Sequence, residues 1–156
     1  MNNKSKEVVI VSAVRTPIGN YKGSLKHMRP DQLGSIVIKE VLKKSKFVNE
    51  EIDEVIMGQV LTAGTGQNPA RQAAIKAGIP ISKPAHIINQ VCGSGLRAVI
   101  SGYQSIKLGE SKNVISGGQE SMSLAPHSIF YRDEKRISED KLLDTMDNDG
   151  LIDESV

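Results

Sequence analysis

Apolar positions along the chain fall into short continuous runs separated by longer segments of helical period, the alternation expected of an α/β layered fold. Val8 to Val14 is apolar apart from Ser12, is too short for a helix, and reads as a central strand covered on both faces. Arg15-Thr16-Pro17-Ile18-Gly19 ends that run, since Pro17 cannot donate to a ladder and Gly19 permits a turn, and a basic loop continues to Pro30. Asp31 suits an N-cap, with Leu33, Ile36, Val37 and Val41 on one face of the helix that follows. Glu54 to Leu61 is a second strand. It opens into the Gly-rich loop Thr62 to Asn68, whose glycines match neither the P-loop nor the dinucleotide spacing. The next helix is marked by Asn68 as N-cap, Pro69 in the first position, Gly78 as C-terminal stop and Pro80 beyond. Its Ala70, Ala73, Ala74 and Ala77 form a small-residue surface suited to close approach by a neighbour.

The stretch Ala85 to Gly95 carries the candidate chemistry. A β-branched run leads into Cys92, and the chain turns through Gly93 and Gly95 into a segment whose Leu96, Val99, Ile100, Tyr103 and Ile106 repeat at helical spacing and should point into a core. A thiol at a strand–turn–helix junction lies near unpaired backbone N–H groups and the positive end of a helix dipole, which favour thiolate and could hold an oxyanion formed when sulfur attacks a carbonyl. A lone cysteine in an apolar stretch is more often a small buried hydrophobe, but the glycines after Cys92 leave its sulfur uncrowded. Asn113 to Ser116 is a further strand closing on Gly117-Gly118, with Gln119 to Ser123 in the loop beyond. From Tyr131 to Lys141 the chain is highly charged, and Leu142, Leu143, Met146 and Leu151 are the only later anchors. That stretch is expected to pack on another element or to be mobile.

Composition narrows the function classes. The 156 residues are 38% hydrophobic but only 3% aromatic, with no Trp, so the core must be aliphatic and one domain of ordinary size fits. Twenty basic and eighteen acidic residues give a net charge of +2 and no electrostatic footprint for nucleic acid or an anionic membrane. The single cysteine forms no intramolecular disulfide and builds no cysteine-rich metal site, so no metal is expected and a reducing cytoplasm suits the chain. The polar start and the lack of any membrane-length apolar stretch give no sign of a signal peptide or membrane span.

Five segments in order, Val9 to Gly19, Gly64 to Arg71, Asn89 to Ala98, Gly117 to His127 and Asp149 to Asp153, together resemble the thiolase family, in its acetyl-CoA acetyltransferase branch. The resemblance covers nearly the whole chain but only the first part of a thiolase. It implies a thiolase-like α/β fold, an incomplete first βαβαβαββ half with a mixed sheet between helices. Residues 1–121 would form the half carrying the nucleophile, and 122–156 would begin an inserted loop domain. It further implies ping-pong acyl transfer: Cys92 takes acetyl from acetyl-CoA, and the carbanion of a second acetyl-CoA attacks to give acetoacetyl-CoA. On this reading coenzyme A thioesters are substrates, no separate cofactor is needed, and the Cys92 backbone N–H is an oxyanion donor. The full-length protein would be a cytoplasmic homodimer or homotetramer. The family's Gly-His-Pro histidine and its second cysteine, in Cys-x-Gly-Gly-Gly, have no counterpart here, and no coenzyme A contact can be assigned. His27, His86 and His127 sit in other contexts and are expected to be structural or exposed. Arg15, Thr16 and Arg71 lie inside the matches but are expected to secure loops. Gln119 stands where the family often has Met. The chain by itself is therefore expected to be inactive in condensation. The competing reading is a catalytically silent remnant serving as an oligomerisation or interaction module, and a ketoacyl synthase of the same fold superfamily matches less well around Cys92.

Overall fold

The computed structural model describes residues 7–131 and 142–153. Three apolar runs form a parallel sheet: β1 (Glu54–Gly58) is central, flanked by β2 (Ala85–Ile88) and β3 (Val114–Gly118). Val55 is paired with Ala85 on one side and Ile115 on the other, so the most apolar strand has neighbours at both edges. This is the parallel section of the expected α/β sheet. Asp53 fastens its start, where the N–H groups of Lys112 (2.7 Å) and then Asn113 (3.1 Å) donate to Oδ2 and hold the carboxyl below the usual carboxylate range.

Three helices cover the sheet: α1 (Pro30–Ser45), α2 (Pro69–Ala77) and α3 (Ser94–Leu108). α2 begins and ends where its residues direct, with the Asn68 side chain accepting from the Arg71 N–H at 3.1 Å and Gly78 at φ 95°. Its four alanines are buried, and together with Ile38 and Leu42 of α1 and Val55, Met57 and Ile115 of the sheet they form the core. Small residues let α1 come close. At Gly34 a Cβ would lie 1.9 Å from Gln119 Oε1 and 3.1 Å from the Ala73 Cβ.

Asp31 is not the N-cap. Pro30 already occupies the first helical position, so the cap falls on Arg29, and Asp31 is fully buried between α1 and α2. Its carboxylate accepts from Arg29 Nε at 3.0 Å and pairs with Lys76 of α2, so the charge is compensated where it is buried. The expected apolar face of this helix is also displaced. Ile36 is exposed, and the α1 residues that reach the core are Ile38 and Leu42, with Val41 of the expected face packed partly against it.

Two further expectations are corrected. Val8 to Val14 is not a strand of the sheet: its backbone makes no hydrogen bond to any described residue, and Val9, Ile10 and Val11 are exposed. It lines a cleft of about 710 Å³, with the free edge of β3 opposite, Leu33, Val37 and Val41 of α1, and Val99, Tyr103 and Ile106 of α3. A continuous apolar run can be an internal strand only where a second backbone pairs with it, and none does among the described residues. The α3 stripe is likewise turned outward. Leu96, Val99, Ile100 and Tyr103 are exposed, while Ser94, Ala98, Gly102 and Ser105 are buried. Their small size brings the helix axis down onto the sheet, so close that a Cβ on Gly102 would lie 2.4 Å from Ser116 Oγ.

After β3 the chain forms β4 (His127–Ser128), which pairs antiparallel with β5 (Leu143–Asp144). Thr145 is buried there and donates its hydroxyl to the Pro126 carbonyl at 2.6 Å. Residues 132–141, most of the charged stretch, lie outside the described residues. Among the described residues no helix is long and apolar enough to cross a membrane.

Candidate functional site

Parallel strands bring their carboxyl ends to one rim of the sheet, which is where open α/β folds collect ligands. Cys92 lies on that rim. β2 ends at Ile88, a tight turn follows, and α3 starts at Ser94 with Gly93 as its N-cap. Cys92 is a free, exposed thiol on the turn, as the strand–turn–helix pattern predicts. The turn is closed by the Gly93 N–H donating to the Gln90 carbonyl at 3.0 Å and the Ser94 N–H donating to the Val91 carbonyl at 3.0 Å. The N–H groups of Cys92, Gly95 and Leu96 meet no acceptor among the described residues. They form a cluster of unspent donors within the turn and first helical positions, the kind of arrangement that stabilises developing negative charge on oxygen.

Glycines seat this turn on the rim. A Cβ on Gly58, the last residue of β1, would lie 2.3 Å from the Ser94 carbonyl carbon, and one on Gly118, the last of β3, would lie 3.4 Å from the Gly95 Cα. The start of α3 therefore rests on the ends of two strands with no side chain between, which fixes the height of Cys92 above the sheet.

Polar residues to which the sequence assigned no role at the site gather at the same rim. Gln59 follows β1, and Gln119-Glu120 follow β3. Gln119 Nε2 donates to Gln59 Oε1 at 2.9 Å, and Gln59 Nε2 donates to the Leu61 carbonyl at 2.8 Å. Both glutamines are buried, and Gln119 Oε1 has no hydrogen-bond partner among the described residues. Glu120 Oε2 accepts from the N–H groups of Val60 at 2.8 Å and Leu61 at 3.3 Å, tying the chain after β3 to the chain after β1. Burial nevertheless raises the Glu120 carboxyl above its ordinary value, the backbone donors offsetting only part of the desolvation. Its other oxygen is buried without a partner among the described residues. The signal that could have found these residues is positional, namely polar side chains directly after apolar runs of a parallel sheet.

The remaining candidates lie elsewhere. His86 Nδ1 is 3.3 Å from Glu54 Oε1, and His127 Nε2 is 3.9 Å from Asp144 across the β4–β5 pair. Neither these two nor His27 bonds to the sulfur of Cys92, which has no hydrogen-bond partner among the described residues. Arg71 secures a loop, donating from Nη2 to the Ile81 carbonyl at 2.8 Å and from Nη1 to the Lys83 carbonyl at 3.3 Å. Arg15 and Thr16 lie along the cleft beside Val8 to Val14. In the Gly-rich loop, Arg29 and Gln72 donate to the Thr65 carbonyl at 2.9 and 2.8 Å, so this loop turns acceptors toward its neighbours rather than a cradle of donors toward phosphate. Among the described residues no group of three or more His, Cys, Asp or Glu could hold a metal ion.

Comparison with known proteins agrees with this architecture. Residues 8–156 match the family described as thiolase, N-terminal domain. An acetyl-CoA acetyltransferase of Cupriavidus necator is 54% identical over 148 residues, covering 94% of this chain and 38% of that protein. The cytosolic acetyl-CoA acetyltransferase of Mus musculus is 51% identical over 153 residues, covering 98% and 38% respectively. A crystal structure of Acat5 thiolase from Ascaris suum in complex with coenzyme A superposes with a TM-score of 0.90 at 41% identity, over 96% of this chain and 39% of that one. The chain thus spans 38% of the length of the curated relatives it matches.

Proposed function

The chain belongs to the thiolase family, and from that premise we propose that it carries the acyl-accepting half of an acetyl-CoA acetyltransferase site, with Cys92 as nucleophile. The observation that carries this reading is an exposed thiol on a turn whose Cys92, Gly95 and Leu96 N–H groups are unspent, at the carboxyl rim of a parallel sheet. Attack of the Cys92 thiolate on the carbonyl of acetyl-CoA forms a C–S bond and places negative charge on oxygen, where those donors can stabilise it. Collapse of that intermediate expels the coenzyme A thiolate and leaves acetyl-Cys92. A second acetyl-CoA, deprotonated beside its thioester carbonyl, then attacks the acetyl group, forming acetoacetyl-CoA and returning the cysteine. Both substrates are thioesters of coenzyme A, so no further cofactor is required.

The chain alone is expected to complete no such cycle. No described residue bonds to the Cys92 sulfur as a base, and absence of a general base or acid costs a factor of about 10² to 10⁴ for each group lost. In the parent enzyme those groups would come from polypeptide outside residues 1–156, joined in a cytoplasmic dimer or tetramer, with residues 122–156 opening a second unit. The exposed apolar stripe of α3 favours a second reading, an interaction module without catalysis. Mass-spectrometric mapping of acetyl after incubation with acetyl-CoA and quenching separates the two. Acetyl on Cys92, lost in Cys92→Ala, supports the nucleophile. Acetyl elsewhere, or none in a full-length protein that still turns over, removes it.

A further inference from the structure

The turn that presents Cys92 is strained at one residue, and what holds it there is visible. Val91 has φ 47°, a region that β-branched residues avoid and where turns normally place glycine. A residue kept in such a conformation is strained, and it persists only when its surroundings impose it. Packing does not impose it here, since the Val91 residue is 51% exposed. Hydrogen bonds do. The Val91 N–H donates to Asn89 Oδ1 at 3.0 Å, and the Val91 carbonyl accepts from the Ser94 hydroxyl at 2.6 Å as well as from the Ser94 N–H. The same hydroxyl accepts from the Gln90 N–H at 2.8 Å. Ser94 is itself buried against Gly58, so its hydroxyl clamps the chain on both sides of the Gln90–Val91 peptide from a fixed platform.

We infer that Ser94 is a positioning residue for acyl transfer: its hydroxyl holds Val91 in the left-handed region and thereby aims the Cys92 sulfur and N–H at one reacting carbonyl. The inference rests on the reading of Cys92 as nucleophile, but it makes a separate claim about how the turn is held. Acylation needs the sulfur and the oxyanion donors in register, whereas alkylation needs only an accessible thiolate. Cys92 is the only cysteine, so both reactions can be followed at one site.

The experiment compares the rate of Cys92 acetylation by 4-nitrophenyl acetate with its alkylation by iodoacetamide, after subtracting the background of Cys92→Ala. Four proteins are used: wild type, Ser94→Ala, Val91→Gly and the double variant. Ser94→Ala is expected to slow acetylation about tenfold and to change alkylation less than about twofold, the loss of one or two buried hydrogen bonds. In the Val91→Gly background, where φ 47° costs nothing, the same change should slow acetylation less than about threefold. An equal loss in both backgrounds, or equal loss of acetylation and alkylation, would mean that Ser94 merely supports the helix start and overturns the inference. Hydrogen exchange of the Gln90 amide in the wild-type protein guards against a misfolded variant, since protection is expected and exchange at the rate of a free amide also overturns it. Acetylation by the nitrophenyl ester with the expected non-additivity, but no acetyl transfer from acetyl-CoA in a full-length protein, would count against the nucleophile while leaving the role of Ser94 intact.

Discussion

The two faces of the sheet are finished differently. On one, α1 and α2 bury Ile38, Leu42 and four alanines against Val55, Met57 and Ile115, and even the carboxylate of Asp31 is buried, paired with the half-exposed Arg29 and Lys76. On the other, α3 lies down on β1 and β3 with small residues and turns Leu96, Val99, Ile100 and Tyr103 away from the sheet. One face is a packed core and the other is a closely seated helix whose large side chains are exposed among the described residues. Cys92 stands at the start of that second helix. The site therefore depends on precision of seating more than on bulk burial, and the two can be perturbed separately.

The largest effect is expected from Ile38→Ala, which empties a fully enclosed site on the closed face and should lower unfolding free energy by about 2–5 kcal/mol in urea titration. Gly58→Ala should follow at about 3 kcal/mol, because its Cβ would fall 2.3 Å from the backbone of Ser94, which cannot swing aside as a side chain could. It should also disturb Cys92 reactivity, which Ile38→Ala should not. If Gly58→Ala were tolerated with unchanged reactivity, the close seating of α3 would not matter to the site. By contrast Leu96→Ala, at a position 69% exposed, should change stability by less than about 0.5 kcal/mol. A larger loss would show the open face to be packed in solution.

The smallest effect concerns pH. Burial raises the folded-state value of Glu120 above its ordinary 4.5, so the group stabilises the fold fully below that value and loses the contribution as pH rises through the raised one. Stability of the wild type relative to Glu120→Gln should therefore fall as pH rises above 4.5. A difference that is flat, or that rises with pH, would show the carboxyl to be at home as an anion between Val60 and Leu61.

What the sequence conveyed follows the same division. Strands β1 to β3 and helix α2 are legible because each is bounded by its own punctuation, such as Asn68-Pro69 and Gly78. The Cys92 turn is legible because Gly93 and Gly95 mark it. Readings went wrong where a neighbour decides the outcome. Apolar period in α3 marks Leu96 to Ile106, but the sheet selects Ala98, Gly102 and Ser105, whose smallness carries no hydropathy signal. Asp31 has the composition of a cap, and Pro30 before it was the better indication that the helix had already begun. Val8 to Val14 has the composition of a central strand, but composition cannot supply the adjoining backbone. Nor could it disclose that Gln119, sixty residues away, donates to the buried side chain of Gln59.

The unladdered run at Val8 to Val14 bears on how the molecule is handled by other enzymes. Proteases bind their substrates as extended chains with free peptide groups, a form that helices and paired strands must unfold to adopt. The peptide groups of this segment are already free of bonds to any described residue, and none of its side chains belongs to the core around Ile38 and Val55. Cleavage there would trim the amino-terminal end while leaving the sheet, its helices and the Cys92 turn assembled, so a shortened but still folded species is the natural first product of limited digestion.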